Sequence, residues 1–88
     1  MSDDGDEITI QYPCDYPIKV IGTASEGFRD EVLGIFERLD ASYSDVTERD
    51  SKEGTYRSLT VHLWATGEEQ IATLFSALKE SDAVRMVL

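Results

Sequence analysis

Little in this chain lends itself to metal or covalent chemistry. It holds one cysteine, Cys14, and one histidine, His62. A single thiol forms no internal disulfide, which fits a reducing compartment. One Cys and one His do not complete a tetrahedral zinc set, and the acidic residues lack the glycine-marked loop spacing of a calcium site. Neither a metal nor a cofactor is expected. Phosphate-loop, dinucleotide and Ser-His-Asp signatures are missing as well. Basic residues are scarce: 8 Lys plus Arg stand against 18 Asp plus Glu, a formal net charge of −10. Nucleic-acid binding draws on a clustered basic face, and no such face is visible. The same acidity disfavours anionic membrane surfaces. No stretch approaches the roughly 20 apolar residues of a membrane span. The start, Met1-Ser-Asp-Asp-Gly-Asp-Glu7, is acidic where a signal peptide is basic and then apolar. A cytoplasmic protein is expected.

What is present is one domain's worth of chain, 88 residues. Residues 1–12 read as an acidic flexible arm, because they are dense in charge and lack a helical or strand period. Residues 13–88 read as the folded domain. Tyr16 to Thr23 is short and β-branched, with Pro17 at its entrance, and reads as a strand that stops at Gly22. Thr23 and Glu26 have capping-box spacing. Behind them Phe28, Val32, Ile35, Phe36 and Leu39 form one apolar helical stripe. Tyr43 to Arg49 is weakly alternating and polar, as in an edge strand. Ser51 to Gly54 supplies a turn. From Thr55 to Ala65 the alternation is clear. Arg57, Leu59, Val61, Leu63 and Ala65 point one way, while Tyr56, Ser58, Thr60, His62 and Trp64 point the other. Thr66 and Glu69 repeat the capping-box spacing ahead of a helix carrying Ile71, Leu74, Phe75 and Leu78. Ala83 to Leu88 is a last strand.

The order β-α-β-β-α-β with right-handed crossovers predicts an α+β ferredoxin-like split βαβ fold. In that arrangement the first and third strands are central in a four-stranded antiparallel sheet, and both helices cover one face. The other face is left open. Lys19, Ile21, Tyr56, Ser58, Thr60, His62 and Trp64 should line it, a polar-aromatic stripe suited to a homodimer or a protein partner. At one end of the sheet Gly22, Thr23 and Ser25 lead into the first helix. Lys52, Arg57 and Arg85 are placed to approach that end, which makes it a candidate site for a small anionic metabolite such as a carboxylate. Ordinary surface ion pairs are the plain alternative. Cys14, beside Asp15 and with His62 as the sole imidazole, is a weak nucleophile candidate. An adjacent carboxylate raises a thiol's pKa, and a lone cysteine commonly packs as a small hydrophobe.

The segments Tyr12-Pro-Cys-Asp-Tyr-Pro-Ile-Lys-Val-Ile-Gly22, Ser51-Lys-Glu-Gly-Thr-Tyr-Arg-Ser58 running into Leu59-Thr-Val, and Val84-Arg-Met-Val-Leu88 closely resemble the YbeD-like family of small uncharacterised bacterial proteins. The resemblance spans Tyr12 to Leu88. It implies a ferredoxin-like fold similar to the ACT regulatory domains of amino-acid metabolism, no established activity, and a possible regulatory tie to lipoate synthesis. Gly22 and Gly27 look like the two glycines of the ACT ligand site, whereas Glu26 stands where that pattern has proline. A non-catalytic regulatory or binding module is therefore the leading expectation. A purely structural interaction subunit is the second reading, and a small thiol enzyme using Cys14 the third.

Overall fold

Six elements follow one another in the order that the hydrophobic periodicity requires: β1 (Cys14–Thr23), α1 (Phe28–Arg38), β2 (Tyr43–Asp50), β3 (Tyr56–Ala65), α2 (Glu68–Lys79) and β4 (Val84–Val87). They belong to a computed structural model that describes residues 11–88. The expected acidic arm lies outside the described residues except for its last two, of which Tyr12 packs against the core. The sheet order is β2-β3-β1-β4 with every pairing antiparallel, so the first and third strands are central as anticipated. No helix among the described residues is long and apolar enough to cross a membrane.

One face of the sheet is roofed by both helices. Ile18 and Val20 of β1 and Leu59, Val61, Leu63 and Ala65 of β3 are buried there. They meet Phe28, Val32, Ile35 and Phe36 of α1 and Leu74 and Leu78 of α2 in a single apolar cluster. The helical stripes and the strand alternation thus converge on one layer. Edge-on contact between Phe36 and Tyr43, with ring centres 5.6 Å apart, extends the cluster to β2.

Both expected capping boxes are absent, and each for a local reason. Thr23 is still strand, opposite Tyr56, and α1 starts only at Phe28 with Gly27 as its N-cap and no side-chain cap bond. Ahead of α2 the N-cap is Gly67. There the backbone N–H of Thr66 donates to Oε1 of Gln70 at 2.8 Å, so Gln70 takes the part expected of Glu69. At the far end of α1, Asp40 adopts a left-handed conformation (φ 56°), which lets the Ala41 N–H reach the Phe36 carbonyl at 2.8 Å.

The central strand begins earlier than its composition implied. It runs from Cys14 through Pro17, although proline cannot donate to a ladder. Lys19 exchanges both of its backbone hydrogen bonds with Leu88, and Pro17 lies two residues further along that same edge, past the end of β4. Among the described residues no strand there needs a donor. β2 also departs from simple alternation. Tyr43 opposes Leu63 and Val46 opposes Val61, so Ser44 and Asp45 share the place opposite His62 in a one-residue bulge.

Candidate functional site

Strand alternation sends a second set of side chains away from the helices. Asp15, Lys19, Ile21 and Thr23 alternate with the buried residues of β1, and they lie opposite Trp64, Thr60, Ser58 and Tyr56. Arg49 and Thr47 of β2 lie beside Ser58 and Thr60. Met86 opposes Ile21, and Leu88 opposes Lys19. Among the described residues, four large apolar side chains remain about half exposed: Tyr56 48%, Trp64 51%, Met86 51% and Leu88 59%. All four are on this helix-free face. A monomer gains nothing by gathering its exposed apolar side chains on one side, whereas a docking surface does.

The face has a shallow hollow of about 190 Å³ at the Tyr56 end, bordered by Lys19, Ile21, Arg49, Tyr56 and Ser58 and by the paired Asp50 and Arg57. At the Trp64 end, Nδ1 of His62 lies 3.1 Å from the Asp15 carboxylate. Cys14 alternates to the opposite side of β1, where it packs half-buried against the core beside Ala65. The one thiol and the one imidazole therefore lie on opposite faces of the sheet, and His62 is not brought to Cys14.

The residues expected to hold a small anion are brought together only in part. Gly22 opposes Arg57, and Thr23 opposes Tyr56, so those residues and the Ser51–Gly54 turn share one end of the sheet. Arg57, however, is already engaged. Its Nε donates to Asp50 at 2.6 Å, a second guanidinium nitrogen reaches the other Asp50 oxygen at 3.3 Å, and Glu48 lies 3.2 Å away. A third nitrogen donates to the Ser25 carbonyl at 3.0 Å. The guanidinium thus latches the β2–β3 hairpin to the loop that leads into α1. On its core side Gly22 is covered by the Phe28 ring and the Ala83 carbonyl. Lys52 sits out on the turn beside Glu53 and Thr55, and Arg85 lies along the far edge of β4 near Lys79.

The Arg57 fork holds the Asp50 carboxyl below the ordinary aspartate range, chiefly through the hydrogen bonds and then through charge. A depressed folded-state value means that the contribution to stability is present at neutral pH and fades as the pH falls through that value. Asp50→Asn should therefore melt lower than the parent at neutral pH, and the gap should close as the pH is taken below about 4. Melting curves across that range check it, and a gap independent of pH would be inconsistent with the ionic account.

A larger hollow of about 600 Å³ separates α1 from α2 on the other side of the molecule, between Asp30, Glu31, Arg38 and Glu80. Among the described residues, no group of three or more metal-ligating side chains is gathered, and every fully buried side chain is apolar. The helix-free face is thus where chemically varied, accessible side chains collect. Arg49, Asp45 and Met86 belong to it and were not anticipated. The facing of Asp45 depends on the bulge in β2, and those of Arg49 and Met86 on their pairing with Ser58 and Ile21, and alternation within one strand carries no signal for either.

A family model described as a protein of unknown function, DUF493, matches residues 7–88. This chain belongs to the DUF493 family. A UPF0250 protein of Nitrosomonas europaea is 39% identical over 85 residues, covering 94% of this chain and 98% of the relative. The YbeD-like resemblance read from the sequence holds. Among solved structures, protein HP0495 from H. pylori superposes with a TM-score of 0.73 at 22% identity, covering 100% of this chain and 94% of that one. The ACT domain from GTP pyrophosphokinase of Chlorobium tepidum gives 0.70 at 14% identity, covering 85% of this chain and 97% of that domain. At such identities these likenesses establish the fold. The DUF493 chain has the ACT-like, ferredoxin-like architecture, and its function is argued from its own surface.

Proposed function

We propose that this DUF493 protein is a non-catalytic regulatory module that works by docking a protein on its helix-free sheet face. The observation that carries the reading is the concentration of Tyr56, Trp64, Met86 and Leu88, the exposed large apolar side chains of the described chain, on that one face. Aromatic side chains with one polar end are the residue type that anchors protein interfaces. The sheet beneath them is rigid, because its other side is pinned by the whole core. The separation of Cys14 from His62 supports a binding role over thiol chemistry.

The test is retention from an extract of the cells that make the protein, with the purified chain immobilised as bait. Proteins held by the parent and by a helix-side control, Glu69→Lys, should fall at least about tenfold on Trp64→Glu, as befits loss of an interface anchor. Identical retention on all three baits would end the proposal.

A further inference from the structure

The geometry points to a second copy of this chain as the occupant of the helix-free face, packed with its strands reversed. This inference rests on the docking reading above and adds the partner. Charge is the first argument. The chain carries a formal net charge of −10, so two copies repel one another over most of their surfaces. Strand alternation places the acidic side chains of Asp15 and the bulged Asp45 on the helix-free face, where Lys19 and Arg49 balance them, and Asp50 at its Tyr56 end is neutralised by Arg57. A strongly basic partner would be drawn to the acidic helix side. A second acidic copy is repelled least at this neutral face.

The layout of the face is the second argument. Arg49 lies one row from Thr60 towards Tyr56, opposite Ser58, and Asp45 lies one row towards Trp64, opposite His62. Both are on β2. A two-fold axis in the interface plane, across the strands at Thr60, keeps β2 above β2 and reverses its direction. Arg49 then falls over the partner subunit's Asp45, and symmetry makes the contact twice. The same operation lays Tyr56 over the partner subunit's Trp64, and Ile21 over the partner subunit's Pro17. Lys19, paired with Thr60, lies on the axis opposite its own copy, so its long stem must carry the ammonium past Leu88 to the rim. Sheets pack face to face about 10 Å apart, a separation that side chains of this size fill.

Size is the third argument. With strands about 4.8 Å apart and about 3.3 Å per residue, the face covers about 500 Å² per copy. The pair buries about 1,000 Å², the lower bound for a specific interface. A dimer that dissociates on dilution is the expected form. Any smaller occupant would leave part of the apolar set uncovered.

The test is sedimentation equilibrium over a dilution series from millimolar to sub-micromolar chain. Emission from Trp64, the only tryptophan, is followed in parallel. The parent should reach twice the 9.9 kDa chain mass at the top of the series, and its emission should move to longer wavelength as it dissociates. Trp64→Glu should remain a monomer. Arg49→Asp and Asp45→Arg should each weaken the dimer at least about tenfold, as interfacial charge pairs do. The double variant Arg49→Asp/Asp45→Arg restores both pairs and should return to within about threefold of the parent. Melting curves that coincide with the parent's at a dilution where every chain is monomeric show that each variant is folded. A parent that is monomeric at millimolar concentration, a dimer indifferent to Trp64→Glu, or a double variant as weak as the singles overturns the second copy. If the parent is monomeric and retention from extract still depends on Trp64, the second copy fails while the docking reading stands. If neither is seen, both fail.

Discussion

Gly22→Ala is expected to lower stability by about 3 kcal/mol or more, roughly 15 °C in melting temperature for a chain of this size. A Cβ built on Gly22 overlaps two neighbours at once, the carbonyl oxygen of Ala83 and the ring of Phe28. The first is backbone, on the approach to the edge strand β4, and cannot rotate aside. The second is a fully buried ring at the first turn of α1. The strand, the helix start and the edge strand meet at this position with no room for one methyl group. Small domains have only about 5–15 kcal/mol in hand, so the loss is a large fraction of the total. Thermal or denaturant unfolding measures it. A variant melting within a few degrees of the parent would show that β4 moves away freely.

Phe28→Ala should cost about 3–5 kcal/mol, as for other buried aromatic side chains cut to a methyl. Phe28 is fully buried and lies against Gly22 on the core side of the sheet. The two changes should not add. With the ring gone, the methyl at position 22 loses one of its two clashes and occupies part of the void. The double variant Gly22→Ala/Phe28→Ala is therefore expected to be more stable than the sum of the singles implies, by about 1 kcal/mol or more. Strict additivity in a denaturant series would mean that the ring and the glycine do not constrain each other, contrary to their contact.

The tight fit at Gly22 also explains which parts of the structure were legible in the sequence. Periodicity sufficed wherever a long element faces one core. The ten-residue alternation of β3 separated Leu59, Val61, Leu63 and Ala65 from Tyr56, Ser58, Thr60, His62 and Trp64, and the structure makes the same division. The helical stripes were equally readable, and with the crossover rule they led to the strand order. Boundaries that depend on partners were not. Thr23 has the spacing of a cap, but its backbone is held in the ladder opposite Tyr56, so the helix starts where Phe28 can close over Gly22.

Side-chain pairings across elements were hidden for a related reason. Nothing local to Arg57 announces that Asp50, Glu48 and the Ser25 carbonyl converge on it. A cation that looked available for a ligand is instead a latch. On the open face, the pattern gave the aromatic stripe and missed Arg49 and Asp45, because the hairpin register decides where the first points and one extra residue in β2 where the second does. The charge layout of that face exists only once the bulge is known.

Pro17 and the Ser44–Asp45 bulge have one further consequence. Sideways growth of a sheet, one chain adding its strand to the next, needs a straight flank of free donors and acceptors. On the β1 side, the stretch left unpaired among the described residues is broken by an imino acid, and the flank offered by β4 is only four residues long. On the β2 side the flank is polar and kinked. Among the described residues, open-ended strand-to-strand addition is thereby starved of a template.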